Sequence, residues 1–184
     1  MNEHHTERLL MRRWRDGDRP AFAAMNADPT VMEYFPSTSD RRESDAVVDR
    51  IEAHFDARGF GLWAVEIPAV APFIGFVGLW TPSFEAHFTP AVEVGWRLAR
   101  EHWGRGYASE AAEASVALGF GGLALEEIVA FTVPANFRSR RVMERLGMTH
   151  DPADDFDHPN VPEGDPLRPH VLYRIRRRTR GAER

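Results

Sequence analysis

The sequence predicts an α/β (α+β) fold, one sheet flanked by helices, and three observations carry that prediction. Apolar strands and amphipathic helices follow in the order β-α-α-β-β-β-α-β-α-β, over a chain whose 184 residues suit one domain with a full core. Glu127 to Val133 has no polar face, and Ile128, Val129, Ala130, Phe131 and Val133 suit a strand covered on both sides. Between these regions, the glycine-rich turn Trp103-Gly104-Arg105-Gly106-Tyr107-Ala108 joins an apolar strand to a helix with a very small face.

The first strand spans residues 7–14, and a helix follows from Gly17 to Ala27, capped by Asp16 or Asp18. Asp40 to Arg58 is a second helix, with Val47, Val48, Ile51 and Phe55 on its buried face. Strands come next at about 61–67, 73–80 and 91–98. The longest uncharged stretch, Ile67 to Phe84, is broken by Pro68, Pro72, Gly75, Gly78 and Pro82, so it reads as a turn and one buried strand rather than a membrane span. From about Gly106 to Phe120, Ala108, Ala111, Ala112, Ser115, Val116 and Gly119 recur at helical spacing, which lets that helix approach a sheet closely. The strand 127–133 stops at Pro134. Asn136 then caps a helix over 136–146, with Gly147 as its terminal glycine. On that helix Ser139, Val142, Met143 and Leu146 share one face, and Arg138, Arg141 and Arg145 point elsewhere.

A loop rich in Pro and Asp, Asp151 to Pro169, precedes the last strand, His170 to Arg176; loops this long in compact domains tend to be functional or mobile. Its Asp154, Asp155, Asp157 and His158, with His150 upstream, match neither calcium nor zinc ligand spacing and read as a solvated acidic loop. The predicted domain core runs from about 6 to 177. Residues 178–184 form a basic tail, and the six arginines of Arg174 to Arg184 read as a solvated end. His4 and His5 read as tail residues.

Composition narrows the function. With 43% hydrophobic residues, five Trp and twelve Phe, the chain is globular. A formal charge of −5 argues against nucleic acid as partner. There is no cysteine, which excludes disulfides, thiolate metal sites and a cysteine nucleophile, and suits a reducing cytoplasm. All 23 basic residues are arginine, so no lysine of the chain can be acylated. Met1 to Arg15 lacks the apolar centre of a signal peptide.

The glycine turn is where chemistry enters. Glycines leave backbone N–H groups facing outward at the positive end of a helix dipole, a setting suited to phosphate or pyrophosphate. A dinucleotide fingerprint fails, because Ser109 fills the third glycine slot and the next strand ends Val133-Pro134-Ala135-Asn136 without a carboxylate. A Gly-Lys-Ser/Thr step is also missing, which excludes a P-loop. Alone, the turn reads better as a plain connection. The second segment, Asn136 to Met148, changes the balance.

Together these segments resemble the GNAT superfamily of acyl-CoA-dependent N-acyltransferases. The family's pyrophosphate loop, Gln/Arg-x-x-Gly-x-Gly/Ala, falls on Trp103, Gly106 and Ala108, with Trp103 replacing the usual Gln or Arg. Its second signature falls on Asn136, Ser139 and Leu146-Gly147-Met148. The Trp-Gly-x-Gly-Tyr-Ala variant is similar to the Rim-type branch, named for enzymes that acetylate the N-termini of ribosomal proteins. Thr6-Glu7-Arg8-Leu9, Gly75-Phe76-Val77-Gly78 and Glu93-Val94-Gly95-Trp96 are similar to that branch too, and the resemblance covers roughly residues 6 to 177.

The resemblance implies a mixed, mostly antiparallel sheet of about seven strands with a central splayed parallel pair. It implies acetyl-CoA as acyl donor, direct transfer to a primary amine, and no metal. The pantetheine arm would pair with the edge of Trp96, Arg97 and Leu98. The pyrophosphate would lie on the amides from about Gly104 through Arg105, Gly106, Tyr107 and Ala108 to Ser109, with His102 exposed beside it. Asn136 would hold the pantetheine, and Ser139 would sit near the sulfur. The family's acidic tyrosine falls on Met143, which has no proton to give, so Ser139 takes that part. Glu93 is the candidate base, acting through water, or equally a structural carboxylate. Glu110 reads as a residue stabilising the helix dipole. Tyr34-Phe35-Pro36, Trp63 and Trp80 are candidates for an acceptor cleft, or equally for core. A non-catalytic acyl-CoA-sensing module is the alternative. The amine acceptor, the acyl group carried by the donor, and the oligomeric state, a homodimer included, stay open.

Overall fold

The computed structural model describes residues 3–177, and the basic tail expected over 178–184 lies outside the described residues. The strands are β1 (Glu3–His5), β2 (Leu10–Arg12), β3 (Leu62–Ile67), β4 (Ala71–Trp80), β5 (Glu93–Leu98), β6 (Glu127–Thr132), β7 (Thr149–His150), β8 (Phe156–Asp157) and β9 (Pro169–Arg176). The helices are α1 (Arg19–Ala27), α2 (Arg41–Arg58), α3 (Tyr107–Gly121) and α4 (Phe137–Arg145). The strands line up as β1-β2-β3-β4-β5-β6-β9-β7, with β8 paired to β9. Neighbours are antiparallel except β5 and β6. This is the mixed, mostly antiparallel sheet expected, with nine strands among the described residues rather than about seven; β1, β7 and β8 are too short to read from periodicity.

Local chemistry sets the elements. α2 starts where Asp40 and Glu43 satisfy each other's backbone N–H groups, both at 2.8 Å, a reciprocal cap. β6 is covered on both sides, with Ile128 and Ala130 in the main core and Val129 beside Phe88 and Leu172 in a second cluster. The small face of α3 buries Ala111, Ala112, Ser115, Val116 and Gly119. A Cβ at Gly119 would come within 2.6 Å of Ile128 Cδ1, so the helix sits as close to the sheet as its small residues permit.

The N-terminal region departs from expectation. His4 and His5 are not tail residues: they belong to β1, His4 pairs with Met11, and its ring meets Trp63 edge-on at 5.2 Å. Neither Asp16 nor Asp18 caps α1 with its side chain. Asp18 instead takes two hydrogen bonds from the buried Arg12 guanidinium, at 2.7 and 2.9 Å, because an unpaired cation there would be far more costly than a helix end capped by water. At the other end, Arg174 is held by Glu127 and Asp154, while Arg176 and Arg177 pair with Glu127 and Glu126 and stay exposed, as a solvated segment does. Acids of the loop also have partners: Asp154 pairs with Arg174, Asp155 shares a hydrogen bond with His150, and Asp157 pairs with Arg168 while staying exposed. Among the described residues no helix is long and apolar enough to cross a membrane, and no group of three or more His, Cys, Asp or Glu side chains is placed to hold a metal ion.

Candidate active site

β5 and β6 separate almost as soon as they meet. β5 pairs with β4 over six positions, from Leu98 opposite Gly75 to Glu93 opposite Trp80, but with β6 only at Glu93 opposite Val129. One further contact, Val129 N–H to the Val92 carbonyl at 2.9 Å, closes the join. The gap opens toward the C-terminal ends of the two strands, the end at which parallel strands receive ligands. The N–H of Ala99 donates to Ile74 on β4 at 2.9 Å, so by strand alternation Arg97 also turns its backbone to β4. The groups facing the gap are those of Trp96 and Leu98, and the Leu98 carbonyl is already taken by the Trp103 indole N–H at 2.8 Å.

At the mouth of the gap lies a cavity of about 360 Å³. It is walled by Trp96, Arg97 and Leu98 of β5, by His102, Trp103, Gly104, Gly106, Tyr107, Ala108 and Ser109 of the turn and α3, and by Asn136 and Ser139 of α4. Twelve positions singled out from the sequence therefore converge here. Arg105 and Glu93, also singled out, do not line the cavity. Arg105 is exposed and offers its carbonyl to Arg8 Nη1 at 3.0 Å.

The turn works through its backbone. Gly106 has φ +82°, a conformation that side-chain-bearing residues rarely adopt, and it serves as N-cap of α3 without any side-chain cap. The first helical hydrogen bond is Glu110 N–H to Gly106 O at 3.0 Å, so the amides preceding Glu110 lack intrahelical acceptors and are available to an anion. His102 is half-buried rather than exposed, and its Nδ1 is buried without a hydrogen-bond partner.

α4 contributes more than its apolar face. Asn136 caps it, accepting from Ser139 N–H at 3.2 Å and donating to Thr132 Oγ1 at 3.0 Å. The Ser139 hydroxyl has no hydrogen-bond partner among the described residues and faces the cavity. Arg138, Arg141 and Arg145, expected to point elsewhere, line the same cavity. Their i, i+3, i+7 spacing is a stripe adjoining Ser139 and Val142, and that spacing was the available signal. With Arg97 they make four arginines and no carboxylate in the wall, in a chain of formal charge −5. Met143 faces the core and is 1% exposed, so it does not occupy a tyrosine-like place at the cavity.

The opposite wall comes from the α1–α2 connection. Val31, Tyr34 and Phe35 line the cavity, and Tyr34 donates to the Ala135 carbonyl at 3.2 Å. Glu33 pairs with Arg138 at 2.7 Å, whose guanidinium lies 4.6 Å from the Trp103 ring centre. Of the other aromatic candidates, Trp63 is a core residue, 1% exposed, and Trp80 stacks on His54 at 4.2 Å outside the cavity. Aromatic residues carry large apolar area, and the core claimed both.

Glu93 sits where β5 and β6 part. It accepts no hydrogen bond among the described residues, and burial pushes its carboxyl up to about 8.

Residues 8–149 match the acetyltransferase (GNAT) domain family. The chain is 33% identical over 144 residues to YkkB of Bacillus subtilis, an alignment covering 78% of this chain and 83% of that protein. It is 28% identical to the FsC-acetyl coenzyme A-N(2)-transacetylase of Aspergillus fumigatus, over 94% of this chain and 75% of that protein. Among solved structures it is similar to an acetyltransferase from Agrobacterium tumefaciens, with a TM-score of 0.76, 29% identity and coverage of 96% and 95% of the two chains. A GNAT-family acetyltransferase from Bacillus anthracis gives a TM-score of 0.77 at 26% identity, covering 95% and 98%. The splayed strand pair, the uncapped glycine turn and the sequence match agree: the chain belongs to the acetyltransferase (GNAT) domain family.

Proposed function

We propose that this protein is an N-acetyltransferase that moves an acetyl group from acetyl-CoA directly to a primary amine. The observation that carries the reading is the junction of three features in one cavity. These are the free edge of β5 at Trp96, the uncapped amides before Glu110, and the stripe of Arg138, Arg141 and Arg145 in a wall without a carboxylate. A polyanionic ligand fits that wall, because each of its phosphates meets donors and none meets a fixed negative charge. When bound, the thioester supplies an activated acyl carbon.

The remaining chemistry falls to the chain. The amine nitrogen attacks the acyl carbon, a C–N bond forms and the C–S bond breaks. The sulfur then takes a proton, and the nitrogen loses one. Ser139, with a free hydroxyl at the head of α4, is the proton donor to sulfur. The Trp96 N–H holds the pantetheine arm, with Asn136 fixing the start of α4 beside it. The amides of Gly104, Gly106, Tyr107, Ala108 and Ser109 hold the pyrophosphate, and Arg105 contributes backbone alone. Glu93, with its raised pKa, is suited to accept a proton near neutral pH through water. The Trp103 to Ala108 variant and the Glu93 to Trp96 stretch support a place in the Rim-type branch, and the lack of cysteine supports a reducing, cytoplasmic setting.

One observation favours a second reading. With Met143 buried in the core, the chain lacks the family's usual acid, which suits an acyl-CoA sensor that does not turn over. The deciding experiment incubates the protein with acetyl-CoA and a panel of amines, amino acids and N-terminal peptides, and reads products by mass spectrometry. Acetylated product supports the enzyme. Acetyl-CoA binding by calorimetry with no turnover on any amine leaves the sensor. The absence of binding removes both.

A further inference from the structure

Arg97 is out of place in the chemistry described so far. Its side chain alternates with Trp96 and Leu98 and so projects from the other face of β5, toward α1 rather than α3. Two cross-checks fix that face. Its strand partner Phe76 packs edge-on against Phe22 of α1 at 5.9 Å, and Arg97 Nη1 itself reaches Asn26 of α1 at 2.8 Å. The guanidinium lies 4.0 Å from the ring centre of Phe35 and 5.5 Å from that of Phe76.

The polar partners of this group are too few. Nη1 donates to Asn26 Oδ1 at 2.8 Å, and Nε is buried with no partner. Asn26 is itself held, donating to Ser44 Oγ at 3.0 Å. No carboxylate pairs with Arg97 among the described residues, and burial alone pulls its guanidinium down to about 10. Arg12 sets the contrast: fully enclosed where Arg97 is half-buried at the cavity, it is clasped by both Asp18 and Glu66. A largely enclosed cation without a counter-charge is expensive, and Arg97 lines the cavity beside Tyr34 and Phe35 with its Nη2 making no hydrogen bond among the described residues. Aromatic faces offset part of that cost and leave the in-plane N–H fork open to a planar anion.

We propose that Arg97 sets acceptor specificity: its missing counter-charge is a carboxylate on the amine substrate, so the preferred acceptor is an amine that also carries an acid, of which an α-amino acid is the smallest. This rests on the acetyltransferase reading above and adds to it the class of acceptor. The glycine turn and the stripe of Arg138, Arg141 and Arg145 serve the phosphates from the α3–α4 side. Arg97 serves the substrate that enters past α1. The two anions are thereby kept apart, and neither competes for the other's cation.

The test uses matched pairs of amino acids and their carboxamides, together with acidic and neutral short peptides. Each is titrated calorimetrically into the CoA-saturated protein and assayed for acetylation with acetyl-CoA. Wild type should favour acids over amides by about ten- to a hundred-fold in affinity and in kcat/KM, the range of one charge-assisted hydrogen bond. Arg97→Gln should reduce that preference to about two-fold or less, while acetyl-CoA affinity changes by no more than about two-fold. Asn26→Asp leaves Arg97 in place but gives it an internal counter-charge, so it should weaken acids and spare amides. No acid preference in wild type, or loss of acetyl-CoA binding equal to the loss of acid binding in Arg97→Gln, overturns the proposal. Failure of wild type to bind acetyl-CoA appears in a separate isotherm and belongs to the acetyltransferase reading instead.

Discussion

Arg8 grips Glu110 with both backbone and side chain: its N–H donates to Oε1 at 2.8 Å and its Nε to Oε2 at 2.7 Å, across 102 positions of sequence. The same guanidinium reaches the Arg105 carbonyl, and Thr6 Oγ1 also bonds Glu110. Burial alone would raise the Glu110 carboxyl, but these hydrogen bonds and the Arg8 charge hold it below its ordinary value. An N-terminal strap thus ties down the first turn of α3 and the glycine turn together. It also neutralises the carboxylate in the first turn of α3, beside the anion site.

Arg8→Ala should therefore raise the KM for acetyl-CoA by about three- to ten-fold with kcat nearly unchanged, the scale of one partly exposed ion pair. Steady-state kinetics with varied acetyl-CoA will read it. An unchanged KM would mean that the turn holds its shape without the strap.

At Gly106 the same strap sets a second limit. A Cβ there would meet Arg8 Nη2 at 3.3 Å, on a backbone already at φ +82°. Gly106→Val should lower stability by roughly 1–3 kcal/mol and remove most of the rise in melting temperature that saturating acetyl-CoA gives wild type. NAD should stabilise neither form appreciably. Full acetyl-CoA stabilisation in the variant would reduce the turn to a connector.

Ser139→Ala should lower kcat by roughly 10- to 1000-fold and leave acetyl-CoA affinity within a few-fold, the pattern of a group that acts as charge develops on sulfur. The burial of Met143 rules out an easy repair. Met143→Tyr would force a phenol into a filled core, costing about 1–3 kcal/mol without reaching the cavity. Full kcat in Ser139→Ala, with chemistry rate-limiting, would hand the proton to solvent.

Glu93 makes a prediction of sign. Its carboxyl titrates at about 8 in the fold against an ordinary 4.5. Below pH 4.5 both states hold the proton. Between 4.5 and 8 the unfolded chain releases it and the fold keeps it, so stability falls with rising pH by up to about 1.4 kcal/mol per unit from this group. Thermal melts from pH 5 to 9 should show that fall flattened in Glu93→Gln. If Glu93 is the base, kcat/KM of wild type should climb through a midpoint near 8, and the variant should lose that limb. A variant flat in melting but unaltered in its rate profile assigns Glu93 to structure alone.

The sequence made most of this fold legible wherever a local rule operates over a long segment. The reciprocal cap at Asp40, the two-sided strand at Ile128 to Phe131 and the small face of α3 all lie within the elements expected. Misreadings cluster where a distant partner decides. Asp18 has the type and place of a cap but is taken by Arg12. Trp63 has the chemistry of a binding aromatic but is held by the core. His4 joins a strand of three residues because β2 offers it an edge. The candidate site shows the same division. Its backbone donors follow from glycine and helix position, which are local. The arginines of α4 were assigned by helical face alone, and only the position of the α1–α2 connection shows that their stripe closes a cavity.

The cations of that cavity are all guanidinium groups, and the kind of cation has a chemical consequence. A lysine ammonium held beside a thioester is in equilibrium with a free amine, which is itself a competent nucleophile. Guanidinium keeps its proton at any physiological pH and delocalises its lone pairs, so it attracts a polyanion without attacking an acyl carbon. In a chain without a single lysine, the only side chains that bring positive charge to the reactive centre besides histidine are ones that the reaction cannot consume. Such a protein has no lysine side chain to lose to its own acyl donor.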